Sequence, residues 1–159
     1  MKLLLEGWDV DPNASDHNGR TPLSFAALEG HEGVVKLLLD HEDVNPGSQD
    51  SSDRTPLSFA AEIGHEGVVM LLLERWDVGP NSPDVNGRTP LSFAASRGHR
   101  GVVNLLLERG DVDPNSADSN GRTPLSLAAN LGIMKLLLER GGVSSNWIVT
   151  IGQPYLSQP

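Results

Sequence analysis

The chain has 159 residues, a formal net charge of −9, a pI near 4.8 and no cysteine. This acidic balance argues against nucleic acid and anionic membrane surfaces, because binding to either draws on clusters of Lys and Arg. The absence of cysteine excludes disulfides and thiolate metal sites, and no apolar run approaches the ~18 residues that span a bilayer. We therefore expect an intracellular, cytoplasmic protein, and the net charge favours basic over acidic partners.

One segment is repeated along the chain. RTPLSFAA begins at residues 20, 54 and 88, and a near copy, RTPLSLAA, begins at 122, so that successive copies lie 34 residues apart. Identical apolar segments at a fixed interval need identical neighbours to pack against. They indicate stacked units rather than a fold with a central core.

The unit 16–49 begins with a predicted turn and a short helix. DHNGR is typical of a turn in which Gly19 adopts positive φ. Thr21 and Pro22 predict the start of a helix, because Thr caps free N–H groups and Pro has no N–H to leave unsatisfied. Gly30 predicts its end. The apolar face of this helix is formed by Leu23, Ala26 and Ala27.

The next segment of the unit, HEGVVKLLLD, predicts a second helix. This helix is apolar nearly all round, so we expect it to be buried on several sides. The remainder, HEDVNPGSQ, is rich in Asp, Asn, Pro and Gly and predicts a loop. The unit is thus a turn, a short helix, a second short helix and a long loop. The apolar positions of the second helix are Val34, Val35, Leu37, Leu38 and Leu39.

This pattern closely resembles the ankyrin repeat over residues 1–142. The resemblance rests on the D-x-x-G-R-T-P-L frame, the Ala-Ala pair, the V-V-x-L-L-L helix and the Gly-His dipeptides at 30–31, 64–65 and 98–99. It implies an all-α solenoid of stacked helix–turn–helix repeats with hairpin-like loops. It also implies a protein that binds other proteins and is not an enzyme.

The chain departs from the family pattern in two ways. The His that usually follows T-P-L, and that links adjacent turns in the family, is replaced by Ser24, Ser58, Ser92 and Ser126. We expect those links to be weaker or differently made. The period of 34 residues exceeds the usual 33, and we place the extra residue in the long loop. The loop sequences are similar to those of fungal arrays.

The repeat pattern divides the chain unevenly. It predicts a half repeat at 1–15, repeats at 16–49, 50–83 and 84–117, a shortened repeat at 118–142 and an irregular tail at 143–159. Neither end has a polar capping unit, which suggests a fragment of a longer array. The fourth repeat lacks an H-x-G triplet between its helices. The alternatives there are a fused helix and a tight turn at Leu131-Gly132, and we favour the turn.

One turn has an unusual residue. Asp53 stands where the other repeats have Gly19, Gly87 and Gly121. If the position requires positive φ, Asp tolerates it at a cost of roughly 1 kcal/mol.

The polar residues of the repeats favour structure over chemistry. Three equivalent histidines, His31, His65 and His99, belong to stacked helices ~8–10 Å apart, too far to share one ion, so we expect them to stabilise the turns between helices. DVDPNS at 111–116 begins like a calcium loop but has Arg122 where the bidentate Glu is needed. There is no phosphate loop and no nucleophile paired with a base. The sequence therefore predicts no metal, cofactor, catalytic site or small-molecule substrate.

Tryptophans stand out among the few aromatic residues. Trp8 and Trp76 occupy the same position in their units, just after the second helix. Packing on that helix is the favoured interpretation, and an exposed anchor for a partner is the alternative. Trp147 in the tail would cover the other end of the stack.

A protein partner would bind where packing leaves residues free, at the turn tips and the exposed end of the first helices. In the ankyrin family these positions line a concave groove. The predicted partner-binding residues are His17, Asn18, Arg20, Leu28, Glu29, Ser51, Ser52, Arg54, Glu62, Ile63, Val85, Asn86, Arg88, Ser96, Arg97, Ser119, Asn120, Arg122, Asn130 and Leu131.

The arginines among these residues form a series at constant spacing. We expect them to pair with the Asp series of the turns, at ~0–1 kcal/mol for each exposed pair, which leaves them able to turn to an acidic partner. The Asp series is Asp16, Asp50, Asp84 and Asp118.

The alternative function is a truncated structural or sensing segment of a larger multidomain protein, without activity of its own.

Overall fold

The structure, a computed structural model, describes residues 11–142, so most of the half repeat at 1–15 and the whole tail at 143–159 lie outside the described residues. Within 11–142 the chain forms helices and connecting turns and no β-strand. The helices are α1 Pro22–Leu28, α2 Glu32–Leu39, α3 Pro56–Ile63, α4 Glu66–Leu73, α5 Pro90–Arg97, α6 Arg100–Glu108, α7 Pro124–Leu127 and α8 Leu131–Arg140.

The helices form two parallel rows. Each first helix contacts the first helix of the next repeat, and each second helix contacts the second helix of the next repeat. The first helices are α1, α3, α5 and α7, and the second helices are α2, α4, α6 and α8. Each first helix also packs against the second helix of its own repeat. This arrangement confirms the predicted all-α solenoid.

Each first helix begins at the Thr-Pro signal seen in the sequence. The Oγ1 atoms of Thr21, Thr55, Thr89 and Thr123 accept hydrogen bonds from the backbone N–H of the Ser three residues later. Proline follows each Thr as the first helical residue, where a missing N–H costs nothing. Gly64, just beyond α3, has a φ of 95°, a left-handed conformation typical of a helix end.

The hydrophobic core runs along the stack between the two rows. Leu57 and Ala61 of α3 are completely buried against Val68 and Leu72 of α4, and equivalent residues repeat this packing in the other units. The expectation for the second helices holds only in part, because Leu37 of α2 is exposed. Its counterpart Leu71, which lines a groove together with Lys36 and Leu39 of α2, is half-buried.

The fourth repeat is shortened in its first helix. The two helices stay separate, as expected, but the turn at Leu131-Gly132 was wrongly placed: both residues begin α8, and the connection is at 128–130. Asn130 caps α8 by accepting the N–H of Ile133 at 3.1 Å. This cap starts α8 early and leaves α7 a single turn.

The turn tips of adjacent repeats are joined by backbone hydrogen bonds. The N–H of Ser51 donates to the carbonyl of Asn18 at 2.8 Å, and the same bond joins Val85 to Ser52 and Ser119 to Asn86, at 3.0 and 2.8 Å. The missing family His is therefore not needed to connect the tips. Ser24, Ser58 and Ser126 instead bond within their own repeats, to the Thr that caps the helix.

The turns require positive φ, as the sequence predicted. Gly87 has a φ of 76°, and Asp53 adopts the same conformation with a φ of 59°. Asp53 is the one residue other than glycine with positive φ in residues 11–142. The second repeat thus carries a backbone strain that its neighbours avoid.

The long loops are also linked, through asparagine. The side chain of Asn13 donates to the carbonyl of Asp43 at 2.6 Å and accepts the N–H of Asn45 at 2.7 Å. Asn81 makes the same two bonds to Asp111 and Asp113, at 2.7 and 2.8 Å.

None of the helices within residues 11–142 has the length and hydrophobicity needed to cross a membrane.

Candidate partner-binding surface

The predicted partner-binding residues all lie at the surface, and we call the surface that they form the tip surface. The side chains of seven are half-buried: Asn18, Arg20, Leu28, Ser52, Arg54, Glu62 and Arg88. The exposed residues are His17, Glu29, Ser51, Ile63, Val85, Asn86, Ser96, Arg97, Ser119, Asn120, Arg122, Asn130 and Leu131.

Two of these residues are not where the repeat pattern put them. The sequence places Asn130 and Leu131 at the end of a first helix, but they are the cap and first residue of α8. Asn130 takes the place that His99 has in the preceding repeat, beside the glycine that ends the neighbouring first helix. The cause is the missing triplet, which shifts the fourth repeat by three residues relative to the others.

Each turn is built around an aspartate. The Oδ1 atom of Asp84 accepts the backbone N–H groups of Asn86 and Arg88, at 2.9 and 2.8 Å. Asp16, Asp50 and Asp118 make the equivalent pair of bonds. These bonds fix the tip in one conformation, so the side chains at the tip are presented by a rigid turn.

The arginine series pairs with these aspartates in three repeats of four. Arg20, Arg88 and Arg122 contact the Oδ2 atoms of Asp16, Asp84 and Asp118 at 3.0, 2.7 and 2.8 Å. Burial opposes ionisation of Asp84, but hydrogen bonds from the side chain and backbone of Arg88 and from Asn86 outweigh it and lower the pKa of this carboxyl. Backbone and side-chain bonds from Arg122 likewise lower the pKa of Asp118.

Arg54 departs from the series. Its guanidinium pairs with Glu62, at the end of α3, instead of with Asp50. The guanidinium carbon also lies over the rings of Phe59 and Phe93, 4.1 and 4.8 Å from their centres. Because Phe93 belongs to the next repeat, Arg54 connects two repeats through a cation–π contact, while its ion pair with Glu62 lies within its own repeat.

Glu62 is the centre of this cluster. Arg97 of the next repeat donates to its Oε1 atom at 2.7 Å, while Arg54 binds Oε2. Burial of the carboxyl would raise its pKa, but the bonds from Arg97 and Arg54 lower it overall. The equivalent residues are Leu28 and Ser96, so no other complete repeat has a carboxylate here.

The phenylalanines of the first helices support the arginines of the tip surface, although Phe59 and Phe93 are themselves buried. Phe25 and Phe93 each stack under the arginine five residues before them, with the guanidinium carbon 4.6 and 4.5 Å from the ring centre. They were not among the predicted partner-binding residues. The constant five-residue spacing from Arg to Phe was the available signal.

Two of the three equivalent histidines, His65 and His99, connect repeats, a role beyond the expected one in the turn between helices. The Nε2–H group of His65 donates to the carbonyl of Leu28 at 3.0 Å, and that of His99 donates to the carbonyl of Glu62 at 2.9 Å. Each ring also packs on the glycine that ends the preceding first helix. Among the described residues, no three His, Asp or Glu side chains converge where they could hold a metal ion.

Trp76 does not pack on its helix, so the favoured interpretation was wrong. Its side chain is 89% exposed. Trp76 lies in the loop beyond α4. The side chain that faces the preceding repeat is that of Arg75, the residue at which the loop begins. Trp8 and Trp147 lie outside the described residues.

Comparison with known proteins agrees with this architecture. The family model for ankyrin repeats (three copies) matches residues 1–84 and 71–146. No curated protein is significantly similar to the chain. The chain therefore belongs to the ankyrin-repeat family, whose members are generally protein–protein interaction modules and typically not enzymes.

Proposed function

We propose that this chain binds another protein through the tip surface, with Ile63, Val85 and Arg97 at its centre. The observation that carries the proposal is that the repeats differ most where they are most exposed. The packed positions are nearly identical in every unit, whereas the position that ends the first helix is Glu29 in one repeat, Ile63 in the next and Arg97 in the third.

The chemistry of these central residues suits recognition. The side chains of Ile63 and Val85 are 47% and 57% exposed, which leaves apolar area for a partner to cover. Arg97 is anchored by Glu62 yet remains exposed over most of its side chain. An anchored arginine loses less conformational entropy on binding and is among the residues that dominate interface energies.

We expect the partner segment to present apolar side chains and carboxylates together. Arg97 and Arg122 are the most exposed guanidiniums of the tip surface, and each retains donors beyond its present ion pair. Arg54 and Glu62 contribute indirectly, by holding Arg97 in place.

The test is quantitative affinity capture with matched variants of the whole chain. We expect wild type to retain one protein saturably, and Ile63→Ser/Val85→Ser/Arg97→Ser to lose at least about tenfold in affinity. Met70→Lys, which alters a second helix instead, should retain the partner. If the triple variant retains the partner as well as wild type does, and circular dichroism shows that both variants are folded, the proposal is contradicted.

A further inference from the structure

Two equivalent grooves lie between neighbouring second helices. The α4/α6 groove has a volume of about 250 Å³ and is lined by Met70, Leu73, Glu74, Leu105, Glu108 and Arg109. The α2/α4 groove is about 170 Å³, and each of its lining residues is 34 positions earlier than its counterpart. The repeat therefore provides an internal comparison for one site.

The two grooves differ in one essential residue. Leucines, acidic residues and an arginine recur at equivalent positions, but Lys36 of the α2/α4 groove becomes Met70 in the α4/α6 groove. Met70 is 50% exposed, so this helix presents a flexible thioether to solvent where the previous one presents an ammonium group. Exposed methionine adapts readily to the side chains of different partners.

A second exposed apolar side chain, that of Trp76, lies just beyond the end of α4, which forms one side of the same groove. Trp76 follows Arg75, whose carbonyl accepts a hydrogen bond from Arg109 of the groove lining at 3.2 Å. Arg109 also donates to the carbonyl of Leu73 at 2.8 Å, so the backbone before Trp76 is held at this end of the groove. The equivalent residues in the neighbouring repeats are Glu42 and Gly110. The second repeat thus breaks the repeat pattern twice, and both changes add exposed apolar surface, one within α4 and one just beyond its end.

The charges around this groove favour a cationic occupant. Glu74 and Glu108 belong to a row of acidic residues at the ends of the second helices, with Asp40 before them and Glu139 after them. Arg109, the one cation of the lining, already pairs with Asp111 at 3.1 Å. A second copy of the chain would bring its own net charge of −9. Residues 143–159 contain no Lys or Arg, so they offer these carboxylates no complement.

We propose that the α4/α6 groove binds a basic amphipathic segment of another protein. An apolar side chain of that segment packs against Met70, Leu73 and Leu105, and Trp76 covers it. Lys or Arg side chains of the segment meet Glu74 and compete with Arg140 for Glu108, whose Oε1 atom Arg140 contacts at 3.2 Å. This surface is formed by second helices and is separate from the tip surface, so the chain has two binding faces of different chemistry.

The probe for the test is a synthetic amphipathic peptide of lysine and leucine, of about 18 residues so that it can form a helix when bound. Titration into the isotope-labelled whole chain should perturb the methyl signal of Met70 and the indole signal of Trp76 saturably. A glutamate/leucine peptide of the same pattern should not bind. A lysine/serine peptide, which lacks the apolar anchor, should bind at least about tenfold more weakly.

Matched variants separate the groove from general charge attraction. Met70→Lys, which restores the residue of the α2/α4 groove, and Trp76→Gly should each weaken binding at least about tenfold. Asn104→Lys adds the same charge at the equivalent position of the next helix and should have little effect. The tip-surface variant Ile63→Ser/Val85→Ser/Arg97→Ser should bind the peptide as wild type does, so either proposal can fail without the other.

Three results would overturn this inference. The first is equal weakening by Met70→Lys and Asn104→Lys, which would mean attraction to net charge alone. The second is a perturbation confined to tip-surface signals. The third is a change in the Met70 signal when residues 143–159 are deleted without peptide present, which would assign the groove to the tail of the chain itself.

Discussion

Arg54 pairs with Glu62, near the far end of the helix that follows it, whereas the arginines of the other three described repeats pair with the aspartate four residues before them. Arg97 reaches the same carboxylate from the next repeat. The two arginines differ in exposure, since 19% of the Arg54 side chain is exposed and 60% of the Arg97 side chain. The same acidic group therefore has a half-buried partner and an exposed one.

We expect Arg54→Ala to lower the free energy of unfolding by about 1–3 kcal/mol, because it removes the cation between Phe59 and Phe93 and half of the pairing of Glu62. Arg97→Ala is the control: it removes an exposed partner of the same carboxylate and should cost less than about 1 kcal/mol. Urea denaturation followed by circular dichroism measures both. Equal losses would show that Arg54 has no special role between the repeats.

The turn tips predict a difference between two glycines with the same backbone conformation. Gly87 and Gly121 have φ of 76° and 75°, so alanine strains either one by about 1 kcal/mol. A Cβ atom at Gly87 would lie 3.0 Å from the backbone nitrogen of Ser119 in the next repeat, whereas at Gly121 it would meet no described atom within 4 Å.

Gly87→Ala should therefore destabilise the chain by at least about 1 kcal/mol more than Gly121→Ala. The midpoint of urea unfolding measures the difference. Equal midpoints would mean that the tips can move apart without cost, and that their backbone bonds contribute little.

The long loops predict a stabilising substitution. Gly47 occupies the position of Asn13 and Asn81, the residues that bridge adjacent loops, so the bridge between the loops of repeats 16–49 and 50–83 is missing. A Cβ atom at Gly47 would lie 3.8 Å from the carbonyl oxygen of Asp77, at ordinary contact distance. Gly47→Asn should gain two hydrogen bonds and raise the free energy of unfolding by about 0.5–1.5 kcal/mol.

The reverse change supplies the control for this prediction. Asn81→Gly should lower stability by a similar amount, because it removes bonds of 2.7 and 2.8 Å to Asp111 and Asp113. Thermal unfolding of both variants would test the pair. A Gly47→Asn variant no more stable than wild type would indicate that the loop around residue 47 directs the new asparagine side chain away from the neighbouring loop.

Asp84 predicts a specific pH dependence of stability. Its pKa is lowered in the folded chain, so its contribution is present above the ordinary carboxyl pKa and is lost as the pH falls through the lowered value. Asp84→Asn keeps an oxygen that can accept the N–H groups of Asn86 and Arg88 but loses the ion pair. Wild type should be the more stable at neutral pH, and its advantage should shrink below about pH 4. Urea midpoints over a pH series measure this, and a constant gap would contradict it.

The repeated framework could be predicted because its signals are local. Thr and Pro start each first helix, and the turns impose positive φ on Gly87 and on Asp53. Each of these features depends on a few neighbouring residues, and the chain repeats them. Stacking then follows from the identical apolar faces, without long-range information.

The departures from expectation depend on contacts distant in sequence or on competing signals. Arg54 is diverted by Glu62 eight residues later and by Phe93 in another repeat, and neither follows from the local pattern. In the fourth repeat, the turn was predicted at Leu131-Gly132, but capping by Asn130 fixed the start of α8 earlier. For Trp76, residue type alone could not distinguish burial from exposure.

The hydrogen bonds that join Asn18 to Ser51, Ser52 to Val85 and Asn86 to Ser119 involve only main-chain atoms. Substitution at a tip therefore leaves the hydrogen bond between the two units intact, provided that the new residue is not proline, which has no N–H to donate. The side chains at the tips of such a scaffold can therefore change one at a time while the series of backbone hydrogen bonds between the tips is preserved. Duplication of a whole unit would likewise add one backbone hydrogen bond of this kind without altering those already formed.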